Sequence, residues 1–207
     1  MFKLYLCYLN GTELEVPEEI LSEYRKEKLS RQRAPQIRAQ SAAAELLLRF
    51  ALSDSGFVVG TPLEIGTDEH GKPFLKSGEC SFSLSHSSDA VLCVLCDTQI
   101  GADIQLVSRA DPALIRRFFA EDEQRYVFSS ADRDAAFTEI WTKKESWCKL
   151  SGKGLALPFP SFSVLDEKIS HCFRHAQAGK FHLCVAAADG LPEYIDPIVT
   201  DLGALLP

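Results

Sequence analysis

Two long helix-forming segments, 35–52 (PQIRAQSAAAELLLRFAL) and 132–150, divide this chain, and each is followed by short alternating strands. The order recurs in both halves: a helix, a Gly-Lys turn (HGKP, SGKG), an SFS segment (81–84, 161–164) and a strand containing LCV (92–94, 183–185). A repeat in this order points to a duplicated α+β unit with its joint near Asp97–Ile100. The expected fold is therefore α+β, with an N-terminal lobe over 1–98 and a C-terminal lobe over 99–207. A ligand site is expected in the cleft between them. Further strands are expected at the N-terminus, PLEIG, AVLCVLCD, IGADIQLV, SFSVL, KISHCFRHA and GKFHLCVAAAD. A charged helix is expected over 17–28 and one continuous helix over 111–130, with Asp111 as its cap and Pro112 at its first position. The C-terminus reads as a loose tail.

Composition narrows the function classes. Hydrophobic residues make up 46% and charged residues 25%, which suits a globular protein. With 22 basic and 29 acidic residues the net charge is −7, which disfavours nucleic acid and anionic membranes as partners. No apolar run reaches the roughly 18 residues that span a bilayer. The start, MFKLYLCYLNGTELEVP, turns acidic too soon for a signal peptide and reads as a strand; a cytoplasmic monomer is expected. The seven cysteines are odd in number and irregularly spaced, as expected of buried reduced thiols. Cys93 and Cys96 form a CxxC inside an apolar strand, with no second CxxC to complete a zinc site. In HCFRH, strand spacing places His171 and His175 on one face and Cys172 on the other, as surface polar residues.

Three places break the apolar pattern in one chemical direction. Asp103 and Gln105 share one face of the IGADIQLV strand. His86 lies in phase with Phe82 and Leu84. Within WTKKESWCKLSGKGL (141–155), Lys144 and Glu145 occupy the apolar stripe of a helix, and Glu145 and Lys149 stand four residues apart. Each has an ordinary reading as well: a surface ion pair, a hydrogen-bonded core histidine, a capping aspartate. Together they suit a hard cation and an anion. Asp103 and Glu145 offer oxygen ligands for Mg²⁺, while Lys149, Lys72 and His86 offer charge to a polyphosphate. Arg25 and Lys28 could hold a further phosphate or form a solvated helix face.

These stretches together resemble the Sfp-type 4′-phosphopantetheinyl transferase family: HGKPF, FSLSHSS, IGADIQ, RRFFAEDE and then WTKKESWCKLSGKGL, in the family's order. The last is close to the family's W-x-x-K-E-x-x-x-K-x-x-G-x-G signature. The resemblance implies two similar lobes related by a pseudo-twofold axis. It also implies Mg²⁺-dependent transfer of the phosphopantetheine arm of coenzyme A to a serine of an apo acyl or peptidyl carrier protein, releasing adenosine 3′,5′-bisphosphate. By the same resemblance Asp103 and Glu145 are metal ligands, joined by Gln105 directly or through water. Glu145, Lys149 and His86 are catalytic. Arg25, Lys28, Lys72, Pro73, Ser85, His86 and Lys149 contact coenzyme A, and Trp141 packs. Many family members carry an acid where this chain has Gln105, so weaker metal binding is expected. The carrier is expected to dock near Arg116, Arg117 and Phe118. A phosphohydrolase using the same acids, or a non-catalytic coenzyme A- or carrier-binding relative, are the alternatives.

Overall fold

A computed structural model of the chain describes residues 1–11, 14, 16–154 and 157–205. It is a mixed α+β protein with two principal sheets. The first has the order β4-β5-β1-β9, built from β1 (Phe2–Tyr8), β4 (Ser81–Ser87), β5 (Ala90–Cys96) and β9 (Ile198–Thr200). The second has the order β6-β8-β7, from β6 (Gly101–Leu106), β7 (Phe173–Ala178) and β8 (Phe181–Ala186). A separate hairpin pairs β2 (Ile65–Thr67) with β3 (Pro73–Leu75) across the expected TDEHGKP turn. Helices α1 (Glu23–Ser30) and α2 (Pro35–Asp54) belong to the first half of the chain. Helices α3 (Pro112–Phe118), α4 (Glu121–Ser129), α5 (Arg133–Ser151) and α6 (Glu167–Ser170) belong to the second.

Strand β5 explains why AVLCVLC is apolar at every position. Val91, Cys93 and Leu95 pack with Leu47, Leu48 and Leu52 of α2, while Leu92, Val94 and Cys96 join Ile104 of β6 and Leu183 and Val185 of β8. A strand covered on both faces has no reason to alternate. On β8 the same period of two sends Leu183 and Val185 into that shared core, and Cys184 and Ala186 against Phe137 and Ile140 of α5. All seven cysteines are free and buried.

Residue Gly101 sets how closely α5 lies on β6. A Cβ there would sit 2.1 Å from the Ser146 carbonyl oxygen and 2.3 Å from the Leu150 nitrogen, both backbone atoms that cannot give way. Asp103 follows two residues later on the same strand face, so it is aimed at the C-terminal turns of α5.

Five sequence expectations fail locally. The helix expected over 111–130 is two helices, broken at Phe119–Ala120, where the Glu123 carboxylate accepts the Ala120 N–H (2.8 Å) and starts α4. The SFSVL segment forms no strand, and the start of KISHCFRHA is α6, capped by Asp166, whose carboxylate accepts from the Lys168 N–H. The charged helix over 17–28 is a 3₁₀ turn (Glu18–Ile20) followed by α1, because Ser22 caps α1 by accepting from the Arg25 N–H. The tail is not loose throughout: β9 pairs in parallel with β1, returning the chain to the first sheet. No helix among the described residues is long and apolar enough to cross a membrane.

Candidate active site

All ten residues expected at the site line one cavity of about 620 Å³. They come from α1 (Arg25, Lys28), the β2–β3 hairpin (Lys72, Pro73), β4 (Ser85, His86), β6 (Asp103, Gln105) and α5 (Glu145, Lys149). A second cavity of about 580 Å³ lies beside α1 and the start of α2. It is lined mainly by apolar side chains such as Leu14, Leu21 and Leu29, with Glu18, Asp89 and Arg38 as the charged residues among those described.

Alternation in SFSLSHS builds the floor of the first cavity. Ser83, Ser85 and Ser87 share one face of β4 and stitch it to β6: Ser83 Oγ accepts from the Ala102 N–H (2.9 Å), and Ser87 Oγ accepts from the Leu106 N–H (3.0 Å). Between them, Ser85 Oγ donates to Asp103 Oδ1 at 2.6 Å. Asp103 is 2% exposed, so its carboxylate needs such donors. Lys149 Nζ also donates to Oδ1 (2.7 Å), and Gln105 Nε2 donates to Oδ2 (3.1 Å). Gln105 therefore presents its nitrogen to Asp103, and its oxygen accepts from Ser87 Oγ at 3.3 Å.

The Lys149–Asp103 bridge replaces the Glu145–Lys149 helix pair that spacing alone suggests. Glu145 is left facing the cavity with its pKa raised, first by burial and then by the Asp103 charge. Two carboxylates repelling each other at the wall of a cavity form the donor set a hard cation neutralises. Among the described residues no three His, Cys, Asp or Glu side chains converge, so the neutral third group beside the acids is the Gln105 amide, whose oxygen here accepts from Ser87. The residues present fit an oxygen-liganded divalent ion held by two acids and one neutral group.

Opposite the acids the cavity is crowded with positive charge. Lys28 is largely exposed at the mouth, yet dehydration against the wall, then the Arg25 and Lys149 charges, draw its pKa down to about 8. Burial pushes the His86 imidazole down to about 4, helped by Lys28, Lys149 and Arg25. At neutral pH the imidazole is therefore uncharged, while Lys28 has no salt-bridge partner among the described residues, unlike Lys149 on Asp103 and Arg25 on Glu45. Arg25 is no solvated helix face. It is 2% exposed and bridged to the fully buried Glu45 (Nε to Oε2 3.3 Å), and its Nη1 donates to Ser41 (2.9 Å). Lys72 is likewise engaged: its ammonium donates to Gln99 Oε1 (3.1 Å) and to the Ile100 and Leu150 carbonyls (3.2 Å each), fastening the hairpin to the C-terminal end of α5.

The adjacent Lys144 and Glu145 part company. Lys144 turns away into the protein, where its ammonium donates to Glu123 (2.8 Å) and to the carbonyls of Phe159 (2.8 Å) and Phe162 (2.7 Å). Glu123 and Glu45 are the acids the sequence reading passed over. Each is a buried carboxylate paired with a buried cation, Glu45 with Arg25 and Glu123 with Lys144, and the signal for Glu45 was its place inside AAAELLL. Leu155, the last residue of the WTKKESWCKLSGKGL stretch, lies outside the described residues. His171 and His175 do not share a site: His175 Nε2 lies 2.9 Å from His182 Nδ1, whereas His171 closes α6.

The profile of the 4′-phosphopantetheinyl transferase superfamily matches residues 99–195, which carry β6, α5 and the acids on them. The chain is 34% identical over 127 residues to the 4′-phosphopantetheinyl transferase gsp of Aneurinibacillus migulanus, covering 60% of this chain and 53% of that protein. It is 29% identical over 170 residues to the 4′-phosphopantetheinyl transferase Sfp of Bacillus subtilis, covering 78% and 75%. It is 33% identical over 123 residues to psf-1 of Bacillus pumilus, covering 58% and 53%. The chain thus spans about half the length of two of these relatives and three quarters of the third. Trp141, Glu145, Lys149, Gly152 and Gly154 of the signature line one cavity, and over residues 99–195 the chain is similar to the 4′-phosphopantetheinyl transferase superfamily.

Proposed function

We propose that the protein transfers the 4′-phosphopantetheine arm of coenzyme A to a serine of an apo acyl or peptidyl carrier protein, with Mg²⁺, releasing adenosine 3′,5′-bisphosphate. The observation that carries this is the single cavity in which Asp103 and Glu145 face Lys28, His86 and Lys149. Such a layout accommodates a diphosphate with its charge matched on both sides. We also propose that the two halves are lobes over 1–98 and 99–207 related by a pseudo-twofold axis, except that β9 returns to the sheet of the first lobe. The supporting correspondence is that β1, α2, β4 and β5 are arranged as β6, α5, β7 and β8 are, with the last strand of each set central.

In the reaction the serine oxygen bonds to the phosphorus carrying pantetheine, and the bond from that phosphorus to the bridging oxygen breaks. Glu145, directly or through water, takes the serine proton. Asp103 and Glu145, with Gln105 completing the oxygen set, would hold Mg²⁺, which when bound lowers the charge of the diphosphate. Lys149 offsets the charge that develops on the leaving bisphosphate, and the wall around Lys28, His86 and Arg25 holds the nucleotide phosphates. Lys72, Pro73 and Ser85 shape the wall. On the outside, exposed Arg116 and Arg117 would meet an acidic carrier, while Phe118 packs edge-on against Trp141 (ring centroids 5.7 Å apart), connecting that surface to the cavity. Intact-mass measurement of apo carriers incubated with coenzyme A and Mg²⁺ tests the reaction. Addition of one phosphopantetheine is expected; intact carriers across acyl and peptidyl types, with or without hydrolysed coenzyme A, would refute it.

Two further results are expected here. Phosphate binding raises the pKa of Lys28 from about 8, so coenzyme A should bind most tightly below pH 8 and weaken as pH rises through it. The slope is at most about tenfold per pH unit for one linked proton. Calorimetry at pH 8 in two buffers of different ionisation enthalpy should show proton uptake that Lys28→Met abolishes; equal uptake in both proteins would contradict the assignment. Gln105→Glu places a third carboxylate beside Asp103. It should lower the Mg²⁺ concentration needed for half-maximal rate by roughly tenfold, one added ligand charge offsetting the loss of the Gln105–Asp103 hydrogen bond. An unchanged or greater requirement would count against Gln105 as part of the metal shell.

A further inference from the structure

We infer that Lys149 is the built-in counter-cation of the proposed metal site, and that metal binding works by exchange: the divalent ion displaces Lys149 from Asp103, and the freed ammonium passes to the substrate diphosphate. The inference rests on the proposed reaction only for the identity of that diphosphate. Asp103 is 2% exposed, and an unpaired carboxylate so placed is costly. Its Oδ1 already accepts from Ser85 (2.6 Å) and from Lys149 (2.7 Å), and its Oδ2 accepts from Gln105 (3.1 Å). Oδ1 is filled by two donors and Oδ2 keeps one lone pair, but a divalent ion ligating Oδ2 would lie within a few ångströms of the Lys149 ammonium and be repelled by it. Ser85 sits on β4 and Gln105 on β6, both short side chains on paired strands. Lys149 is the long one, its side chain 30% exposed at the cavity wall, and it alone carries a charge that a cation repels.

Glu145, by contrast, has no hydrogen-bond partner for its carboxylate among the described residues, although it stands one helical turn from Lys149. The ammonium has chosen the strand acid over the helix acid, which leaves half of the metal site open and half plugged. Metal alone must break the Lys149 bridge with nothing to receive the ammonium. Metal with coenzyme A gives Lys149 a new anionic partner. The two ligands should therefore favour each other, and by linkage each raises the affinity for the other equally.

The test reads Lys149 directly. Amine labelling of the wild-type protein, followed by peptide mass spectrometry, is run with no addition, with Mg²⁺ alone, and with Mg²⁺ and coenzyme A. Labelling of Lys149 is expected to rise with Mg²⁺ alone and to fall again with coenzyme A, while Lys26 on the outer face of α1 stays constant. A second measurement uses Mn²⁺ alone, counted by electron paramagnetic resonance. Lys149→Met, shown to be folded by circular dichroism, should bind Mn²⁺ about tenfold tighter than wild type, because the competing charge a few ångströms away is gone; Lys149→Arg should not. Unchanged or reduced labelling with Mg²⁺ alone, or equal Mn²⁺ affinity in wild type and Lys149→Met, overturns the exchange. Failure of the transferase reading looks different: the exchange would occur while apo carriers stay unmodified.

Discussion

Lys144→Met is expected to destabilise the protein by about 3–5 kcal/mol, the cost of leaving one partner of a buried ion pair alone. Both side chains are completely buried. Burial lowers the Lys144 pKa and raises that of Glu123, so for each group dehydration outweighs the attraction between them. The pair is held in place by its other bonds. Glu123 accepts from the Ala120 and Val164 N–H groups (2.8 Å each), and Lys144 donates to two carbonyls and lies 4.1 Å from the centre of the Phe162 ring. Removing the ammonium strands a carboxylate and two carbonyls together. Lys144→Met combined with Glu123→Gln should recover over half of the loss, since the amide still accepts from a backbone N–H and carries no charge. Urea unfolding with an unchanged m-value measures both; a single-variant loss under about 1 kcal/mol would mean that water reaches the pair. The consequence for the site is rotational. Lys144 pins one face of α5 to the 159–164 segment, and Glu145, the next residue, is thereby turned into the cavity.

Glu145→Gln should reduce the rate of carrier modification by about 10²–10⁴-fold, the usual range for losing a positioned proton acceptor. The fold should not suffer. Glutamine fills the same volume and removes the repulsion that raises the Glu145 pKa beside Asp103, so the thermal midpoint should hold or rise. Coenzyme A affinity without metal should hold as well, because Lys28, His86 and Lys149 are untouched. Rates and melting curves on the same preparation check this. A loss within about fivefold would remove Glu145 from the chemistry, since a general base cannot be given up that cheaply. A fall in stability together with the rate would mean instead that the carboxylate supports the fold.

What the sequence conveyed best was whatever repeats in register with a strand or helix. The unbroken run AVLCVLC announced a strand covered on both sides, and the signature spacing placed Glu145 and Lys149 near the end of α5. Apart from the tail, which joins β1 by backbone pairing, the failures share a physical cause: side chains taking over backbone hydrogen bonds. SFSVL alternates as a strand should, but its Phe162 carbonyl is used by Lys144 and its Val164 N–H by Glu123, leaving no ladder to join. The same Glu123 splits the helix expected over 111–130. In the site, periodicity could place Arg25 and Lys28 on one short helix. It could not tell that Arg25 is committed to Glu45, twenty residues on, while Lys28 stays at the mouth. Nor could spacing show that Lys149 would choose Asp103 on another element over Glu145 on its own. Choices between partners depend on tertiary distance, which one-dimensional spacing does not encode.

The most direct measurement is anomalous scattering from a crystal of the protein holding Mn²⁺ and coenzyme A. One peak is expected in the cavity, within ligand distance of the Asp103 and Glu145 carboxylates and of the diphosphate oxygens, with Lys149 moved off Asp103. A peak that touches only one of these acids, or a diphosphate seated elsewhere, would contradict the account.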